Sequence, residues 1–301
     1  MELRHLRYFL AVAEDLHFGR AAARLHIAQP PLSRQIRNLE AELGITLFHR
    51  TRRRVQLTQA GQLFLEAARR VLADVEEAVR VAQRAGRGEI GRLLIGFVGT
   101  ATCDVLLRAL RVFRERFPEV ILCLQELTTV QQVEALHEKR LDVGFLRPPI
   151  EDESLSLMVL TREPFVVAVS AAHPLSRQPQ VPLRRLAGEA FVLFPRQAAP
   201  GFYDQVIRLC QRAGFSPNIA QEASQVHALL GLVAAGLGVS LLPASMQYLQ
   251  GPGVVYRALR PSVPQTGLAV AWRHDRSPAV ETFLTVVREF SSPMATPERG
   301  T

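Results

Sequence analysis

With 301 residues, 48% hydrophobic and 21% charged, the chain is long enough for two or three compact units and too apolar to be largely disordered. Its formal charge is +8, and residues 1–58 carry ten Arg against five acidic residues, which points to a polyanionic partner for that end. Three scattered cysteines without a C-x-x-C pair exclude a disulfide framework, no apolar run reaches about 18 residues, and the opening Met-Glu-Leu-Arg lacks a signal-peptide core, so a cytoplasmic protein with no membrane partner is expected.

Leu3, Leu6, Phe9, Leu10 and Ala13 recur at three- and four-residue spacing and predict an amphipathic helix over 3–13. A second helix over 18–25 carries Ala21, Ala22 and Ala23, small enough for another helix to cross closely. A third is predicted over 29–43, with Pro30 and Pro31 in a first turn whose N–H groups have no intrahelical partner, and with Leu32, Ile36, Leu39 and Leu43 as its buried stripe. The opposite face shows Gln29, Ser33, Arg34 and Arg37, hydrogen-bonding groups placed as in a helix that meets base edges in the major groove. Taken alone, a solvated polar face would read the same way. The turn to another helix favours duplex DNA over an acidic membrane surface as the partner. Gly44 ends the helix, and strands over 45–48 and 55–57 are expected to flank Thr51-Arg52-Arg53-Arg54 as a basic wing suited to phosphates or the minor groove.

Thr58 is a candidate N-cap for a helix running to about residue 84, with Leu63, Ala67, Val71, Val75, Ala78 and Ala82 as a narrow apolar stripe that calls for a partner helix. The following Gly86-Arg87-Gly88-Glu89-Ile90-Gly91 matches the G-x-G-x-x-G dinucleotide fingerprint in letters only. A helix precedes it and a strand follows, the reverse of what that fingerprint needs, so it reads as a flexible hinge and no cofactor is expected. Beyond it, apolar runs at 93–98, 121–126, 143–146, 165–169, 191–194 and 239–242 alternate with helical patterns in the rhythm of α/β units.

Gly99-Thr100-Ala101-Thr102 ends the first of these strands, and a strand-to-helix turn offers backbone N–H groups and a positive dipole end suited to a carboxylate. Thr100 adds a hydroxyl, although Thr100 or Thr102 serving only as a helix cap fits the residues equally well. His227 precedes the apolar run 228–235 and is a candidate cleft residue or a structural histidine. Cys103 is a candidate oxidant-sensing thiol, against the plainer reading of Cys103, Cys123 and Cys210 as small buried side chains. No H-x-x-x-H, G-x-S-x-G or Walker pattern occurs, so neither metal nor catalysis is expected.

Leu6-Arg7-Tyr8-Phe9, Ala21-Ala22, Gln29-Pro30-Pro31-Leu32-Ser33, Leu39-Glu40, Leu43-Gly44, Leu47-Phe48, Arg50 and Leu57-Thr58-Gln59-Ala60-Gly61 stand in the order and spacing of LysR-type transcriptional regulators, which the chain resembles. The resemblance implies an α/β fold with an N-terminal winged helix-turn-helix (1–58), a long linker and dimerisation helix with hinge (59–91), and a two-lobed, periplasmic-binding-protein-like effector domain (92–301). Lobe I would be 92–161 with 265–301, and lobe II 162–264. It implies that Gln29, Pro30, Pro31, Ser33 and Arg34 face promoter DNA, that Arg52, Arg53 and Arg54 occupy the wing, and that a homodimer or homotetramer acts on RNA polymerase.

Ile95-Gly96-Phe97-Val98-Gly99, Gly144-Phe145, His173-Pro174-Leu175, Ala213-Gly214-Phe215, the run 231–236 and Pro243-Ala244-Ser245 resemble the branch that controls aromatic-acid catabolism and acetoin formation. That resemblance implies a small carboxylate effector between the lobes. Gly99, Thr100, Ala101 and Thr129 would hold it, Pro200, Gly201 and Phe202 would line the opposite wall, and Arg147 would lie nearby as a cation or as a surface ion-pair residue. Gly201 lacks a side chain that some relatives use. A secondary pocket known in some benzoate-responsive relatives is not expected, because Thr161 and Gln225 stand where charged residues would be. The rival readings are a two-lobed enzyme with an accessory DNA module and a solute-binding protein.

Overall fold

The computed structural model describes residues 1–51, 54–103, 105–249, 251–261 and 264–291, without the side chains of Thr102 and Cys103. It divides into two compact units, Met1–Arg84 and Ala85 onward. Among the described residues no helix is long and apolar enough to cross a membrane.

The first unit contains α1 (Leu3–Asp15), α2 (Phe18–Arg24), α3 (Gln29–Leu43), a hairpin of β1 (Phe48–Arg50) and β2 (Val55–Leu57), and the start of α4 (Gln59–Gly86). Leu6, Phe9 and Val12 from α1 meet Ala21 and Ala22 of α2 and Leu32, Ile36 and Leu39 of α3 in one core. Phe9 is its centre, with the Phe48 and Phe64 rings 5.3 and 4.9 Å away. The alanines let α2 cross closely, as their size implies. Helix α3 begins on Gln29, keeps both prolines in its first turn, and ends at Gly44, whose φ of +70° suits glycine.

The first wing strand begins at Phe48, three residues later than its predicted start at Ile45, which is 46% exposed. Glu40 on α3 explains the delay. Its Oε1 accepts from Leu47 N (2.8 Å) and Phe48 N (3.1 Å), so these amides are tied to the helix before strand pairing starts. Its Oε2 accepts from Arg50 Nη2 at 2.5 Å, and the Arg50 guanidinium lies 5.0 Å from the centre of the Phe18 ring. One carboxylate therefore fixes the wing's base against α3.

Thr58 caps α4 as expected, accepting from Gly61 N at 2.9 Å while its hydroxyl donates to Thr46 O at 2.8 Å. The face of α4 that packs on the unit's core carries Phe64, Leu65, Ala68 and Leu72. The stripe read from the sequence lies elsewhere on the helix: Leu63 is 72% and Val71 43% exposed, and Ala78 and Ala82 are exposed too.

The second unit has a five-stranded sheet and a second layer of smaller sheets. The first follows the order β4-β3-β5-β13-β6 and contains β3 (Gly91–Phe97), β4 (Val120–Glu126), β5 (Val143–Leu146), β6 (Leu155–Glu163) and β13 (Thr266–Arg273). Its first three strands are parallel, and β13 runs antiparallel to both β5 and β6. Around it lie α5 (Val105–Arg116), α6 (Thr129–His137) and α9 (Pro278–Arg288). The other lobe contains the sheet β11-β7-β12-β8, from β7 (Phe165–Ser170), β8 (Gln180–Pro182), β11 (Ser240–Pro243) and β12 (Val254–Arg260). A parallel pair, β9 (Ala190–Leu193) and β10 (Asn218–Glu222), joins α7 (Pro200–Arg212) and α8 (Val226–Ala234) there. Each lobe has its own apolar core.

Strand β6 continues two residues past the expected lobe boundary at 161, because Arg162 and Glu163 still pair with Gly267 and Thr266. The glycine-rich segment is docked on the second unit, contrary to the free hinge that was expected. Thr282 Oγ1 donates to Arg87 O at 3.1 Å, and a Cβ on Gly88 would lie 2.5 Å from Pro278 and Ala279.

Replacing Glu40 by alanine leaves two buried-side N–H groups and a guanidinium without their acceptor. The first unit should lose about 2–4 kcal/mol of stability, read as a lower midpoint of its unfolding transition in calorimetry, with the second unit's transition unmoved.

Candidate functional site

Two surfaces carry the residues singled out in the sequence. On α3, Gln29, Pro30, Pro31, Arg34 and Arg37 are exposed and Ser33 is half-buried, on the side away from Leu32, Ile36 and Leu39. Arg34 makes no hydrogen bond or ion pair among the described residues, and Arg37 reaches only Ser33 O of its own helix, at 3.4 Å. Arg54 is exposed at the wing, whose turn is closed by Thr51 N donating to Arg54 O (2.9 Å) and Arg54 N donating to Thr51 Oγ1 (3.0 Å). Arg52 and Arg53 lie outside the described residues. Behind α3, His5 Nδ1 accepts from Glu2 N at 3.1 Å, so its Nε2 is the donor to Gln35 Oε1 at 2.9 Å. This contact pins α1 to the exposed helix, and the sequence did not reveal it.

The second surface is a cleft between the lobes of the second unit. Lobe I contributes Val98, Gly99 and Thr100 from the end of β3, Glu126 to Thr129 where β4 leads into α6, and Arg147 just past β5. Lobe II contributes Phe194, Ala198, Ala199 and Phe202, with Ser224, Gln225 and Val226 at the start of α8. A 3-10 turn, Gly99–Cys103, intervenes between β3 and α5, where a direct strand-to-helix turn was expected.

Arg147 is not a free cation in this cleft. It is 4% exposed; its Nη1 donates to Glu163 Oε1 (3.0 Å) and Gly267 O (3.1 Å), and its Nε donates to Thr100 Oγ1 (3.1 Å). Because the Thr100 oxygen already accepts from Arg147, its hydrogen is left to donate. Thr128 caps α6, accepting from Gln131 N at 3.2 Å, while Gln131 Oε1 accepts from Thr128 N at 3.0 Å. That division of labour leaves Thr129 over: its Oγ1 is buried and has no hydrogen-bond partner among the described residues. Helix α8 opens on the same cleft, and its N-cap Gln225 makes no side-chain capping bond, so its first amides also lack a side-chain acceptor.

The structure thus brings Gly99, Thr100, Thr129, Arg147 and Phe202 together and sets four expected residues apart. Ala101 turns into lobe I's core at 1% exposure and borders a different groove with Val105, Thr161 and Ser245. Pro200 and Gly201 border another depression beside Pro149 and Arg196. Gly201 frees no space for a ligand, since a Cβ there would lie 2.3 Å from Pro149 O. His227 is exposed and does not line the cleft, because helical rotation turns Val226 inward and its successor outward. Thr161 and Gln225 belong to two different depressions instead of one secondary pocket. Glu126, Gln131, Phe194 and Gln225 line the cleft without having been foreseen; the Thr128-Thr129 pair after an alternating strand end was the available signal.

Among the described residues no three His, Cys, Asp or Glu side chains gather as metal ligands. Burial pushes the Cys210 thiol up to about 11, which withholds its thiolate near neutral pH. Cys123 Sγ accepts from Arg92 Nε at 3.1 Å, and the Cys103 side chain lies outside the described set. Replacing Arg147 by alanine would strand Glu163, whose side chain is 14% exposed, and should cost the second unit about 3–5 kcal/mol in urea unfolding. Arg147→Lys keeps the charge but not the fork, and should fall between that variant and the parent.

Comparison with known proteins resolves what these surfaces belong to. Residues 3–62 match the family described as "Bacterial regulatory helix-turn-helix protein, lysR family", and residues 86–292 match "LysR substrate binding domain". The HTH-type transcriptional regulator AlsR of Bacillus subtilis (strain 168) is 40% identical over 287 residues, covering 95% of each chain. CatR of Pseudomonas putida is 41% identical over 290 residues, covering 96% of this chain and 99% of its own. The solved structure of CbnR, a LysR family transcriptional regulator, superposes with a TM-score of 0.82 at 33% identity, covering 96% of this chain and all of CbnR. Over their whole length these relatives are named as regulators, which sets aside the enzyme reading, and the match at 3–62 sets aside the solute-binding one. The chain belongs to the LysR family of DNA-binding transcriptional regulators.

Proposed function

We propose that this regulator binds duplex promoter DNA through Gln29, Pro31, Ser33, Arg34 and Arg37 on α3 and through Arg52, Arg53 and Arg54 of the wing, in the cytoplasm, as a homodimer or homotetramer that acts on RNA polymerase. The exposed, partnerless Arg34 on the side of α3 away from the core supports the groove assignment. A full-length CbnR complexed with its target DNA superposes on this chain with a TM-score of 0.81 at 32% identity, covering 97% of this chain and all of CbnR. The uncovered apolar side chains of α4, Leu63, Val71 and Val79, supply a surface for a second copy.

The effector is a small carboxylate held in the interlobe cleft. The observation that carries this reading is Thr129 Oγ1, a buried hydroxyl with no partner among the described residues, beside a Thr100 hydroxyl whose oxygen accepts from Arg147 and whose hydrogen is left to donate. Buried polar atoms are seldom left unpaired, and first-turn amides of α6 and α8 add a positive field at the same place. A ligand that binds the two lobe arrangements with different affinity shifts the population between them, and only such a ligand can regulate.

For DNA, Arg34→Ala should weaken operator binding by about 1–3 kcal/mol and relax base preference, while Arg54→Ala should weaken all sequences alike and flatten the salt dependence by about one unit of slope. Mobility-shift titrations at several salt concentrations read both, and binding indifferent to both changes contradicts the assignment. For the effector, Thr129→Val removes a hydroxyl that bonds to nothing in the protein. Unliganded stability should hold, and carboxylate affinity by calorimetry should fall about ten-fold or more. Thr100→Val should lower affinity similarly and also cost stability, because it strips Arg147 of a partner. Equal carboxylate affinity in both variants and the parent removes these threonines from the site.

A further inference from the structure

The charges around the cleft are not those of a simple anion trap. Arg147 is the one cation among the described lining residues, and Glu163 already faces it at 3.0 Å, with Ser245 Oγ donating to the same Glu163 oxygen at 3.1 Å. Glu126 lines the cleft as well, and its carboxylate has neither a hydrogen bond nor an ion pair among the described residues. The carboxylate is positioned at the seam of the lobes. A Cβ built on Gly99 would lie 2.7 Å from Glu126 Oε1 on lobe I and 3.2 Å from Val226 Cγ2 on lobe II. Glu126 thus sits next to the turn that carries Thr100, with no donor to it among the described residues. On the same cleft, the buried Thr129 Oγ1 is a hydroxyl without a hydrogen-bond partner among the described residues. The cleft therefore presents unmatched donors and one unmatched anionic acceptor.

We propose that the cleft takes a monocarboxylate that bears its own hydrogen-bond donor, a hydroxyl or an ammonium group, and that Glu126 is the specificity-determining residue that accepts from it. The inference rests on the carboxylate reading above and extends it. The ligand's carboxylate meets Thr100, Thr129 and the helix N-termini, and its donor meets Glu126. A plain monocarboxylate offers Glu126 nothing to accept from, whereas a ligand with its own donor adds a charge-assisted hydrogen bond to that carboxylate. A dicarboxylate brings a second negative charge toward Glu126 and is repelled.

The test is calorimetric titration of the full-length protein with butanoate, 2- and 3-hydroxybutanoate, 3-aminobutanoate and succinate, repeated on Glu126→Gln. The substitution sits on an exposed strand end and should leave the unliganded unfolding midpoint unchanged. In the parent protein at least one donor-bearing acid should bind about ten-fold or more tighter than butanoate, with succinate weakest. In Glu126→Gln the donor preference should shrink to about three-fold or less, and succinate should bind about ten-fold tighter than it does to the parent. Carboxylates that bind without donor preference, or a preference that survives Glu126→Gln, overturn the role of Glu126 and leave the carboxylate reading standing. Binding of none of the five overturns both.

Discussion

The guanidinium of Arg147 is buried at the end of β5, where the central sheet of lobe I opens toward lobe II. A charge at that depth persists only if its donors are matched, and each match fixes a different part of the site. Glu163 ties it to the end of β6, Gly267 O to β13, and Thr100 to the turn after β3. Through Ser245, which donates to Glu163 from both its amide and its hydroxyl, the same network reaches lobe II. The cleft's chemistry depends on this arrangement, because it makes the Thr100 oxygen an acceptor of Arg147, leaving its hydrogen to donate elsewhere, and pairs the one cation among the described lining residues with Glu163. In the proposed carboxylate site, the anion would be met by neutral donors: hydroxyls and helix amides.

The DNA-reading unit follows the same logic at smaller scale. Glu40 stands near the C-terminal end of α3, far from the residues that face outward, yet it accepts from two amides and Arg50 and so sets where the wing begins. His5 does the corresponding task between α1 and α3. In both units, polar side chains at partly buried positions define the relative placement of elements whose association is driven by apolar packing. Hydrophobic contact is non-directional, and these bonds supply the direction.

Much of the first unit was legible because its helices carry their signals locally. Pro30 and Pro31 mark the start of α3, Gly44 its end, and Leu32, Ile36 and Leu39 its buried face, all within one stretch of chain. The start of the wing was misplaced because Leu47 and Phe48 look like strand residues, while the acceptor for their amides, Glu40, lies seven and eight positions away on another element. In the second unit the apolar runs of β5 and β7 announced themselves. β6, β12 and β13 were passed over although β13 is almost wholly buried, because long-range antiparallel pairing and not local periodicity decides their state. At the cleft, Thr100 was readable from a strand-to-helix turn, and Thr129 only from the family resemblance. Ala101 and His227 failed by a single residue of rotation, and Gly201 failed because the Pro149 carbonyl that fills its space is about fifty positions distant. Glu126 went unnoticed since an acidic residue at a strand end is ordinary until the opposite lobe is brought against it.

A carboxylate effector would satisfy donors that stand unmatched between the lobes among the described residues. A crystal structure of the full chain grown with 3-hydroxybutanoate tests it most directly. The ligand's carboxylate is expected within hydrogen-bond distance of Thr129 Oγ1 and Thr100 Oγ1, with the Arg147–Glu163 pair intact behind them. A carboxylate bound elsewhere, or an interlobe cleft in which Thr129 Oγ1 is satisfied by the protein's own backbone, would contradict it.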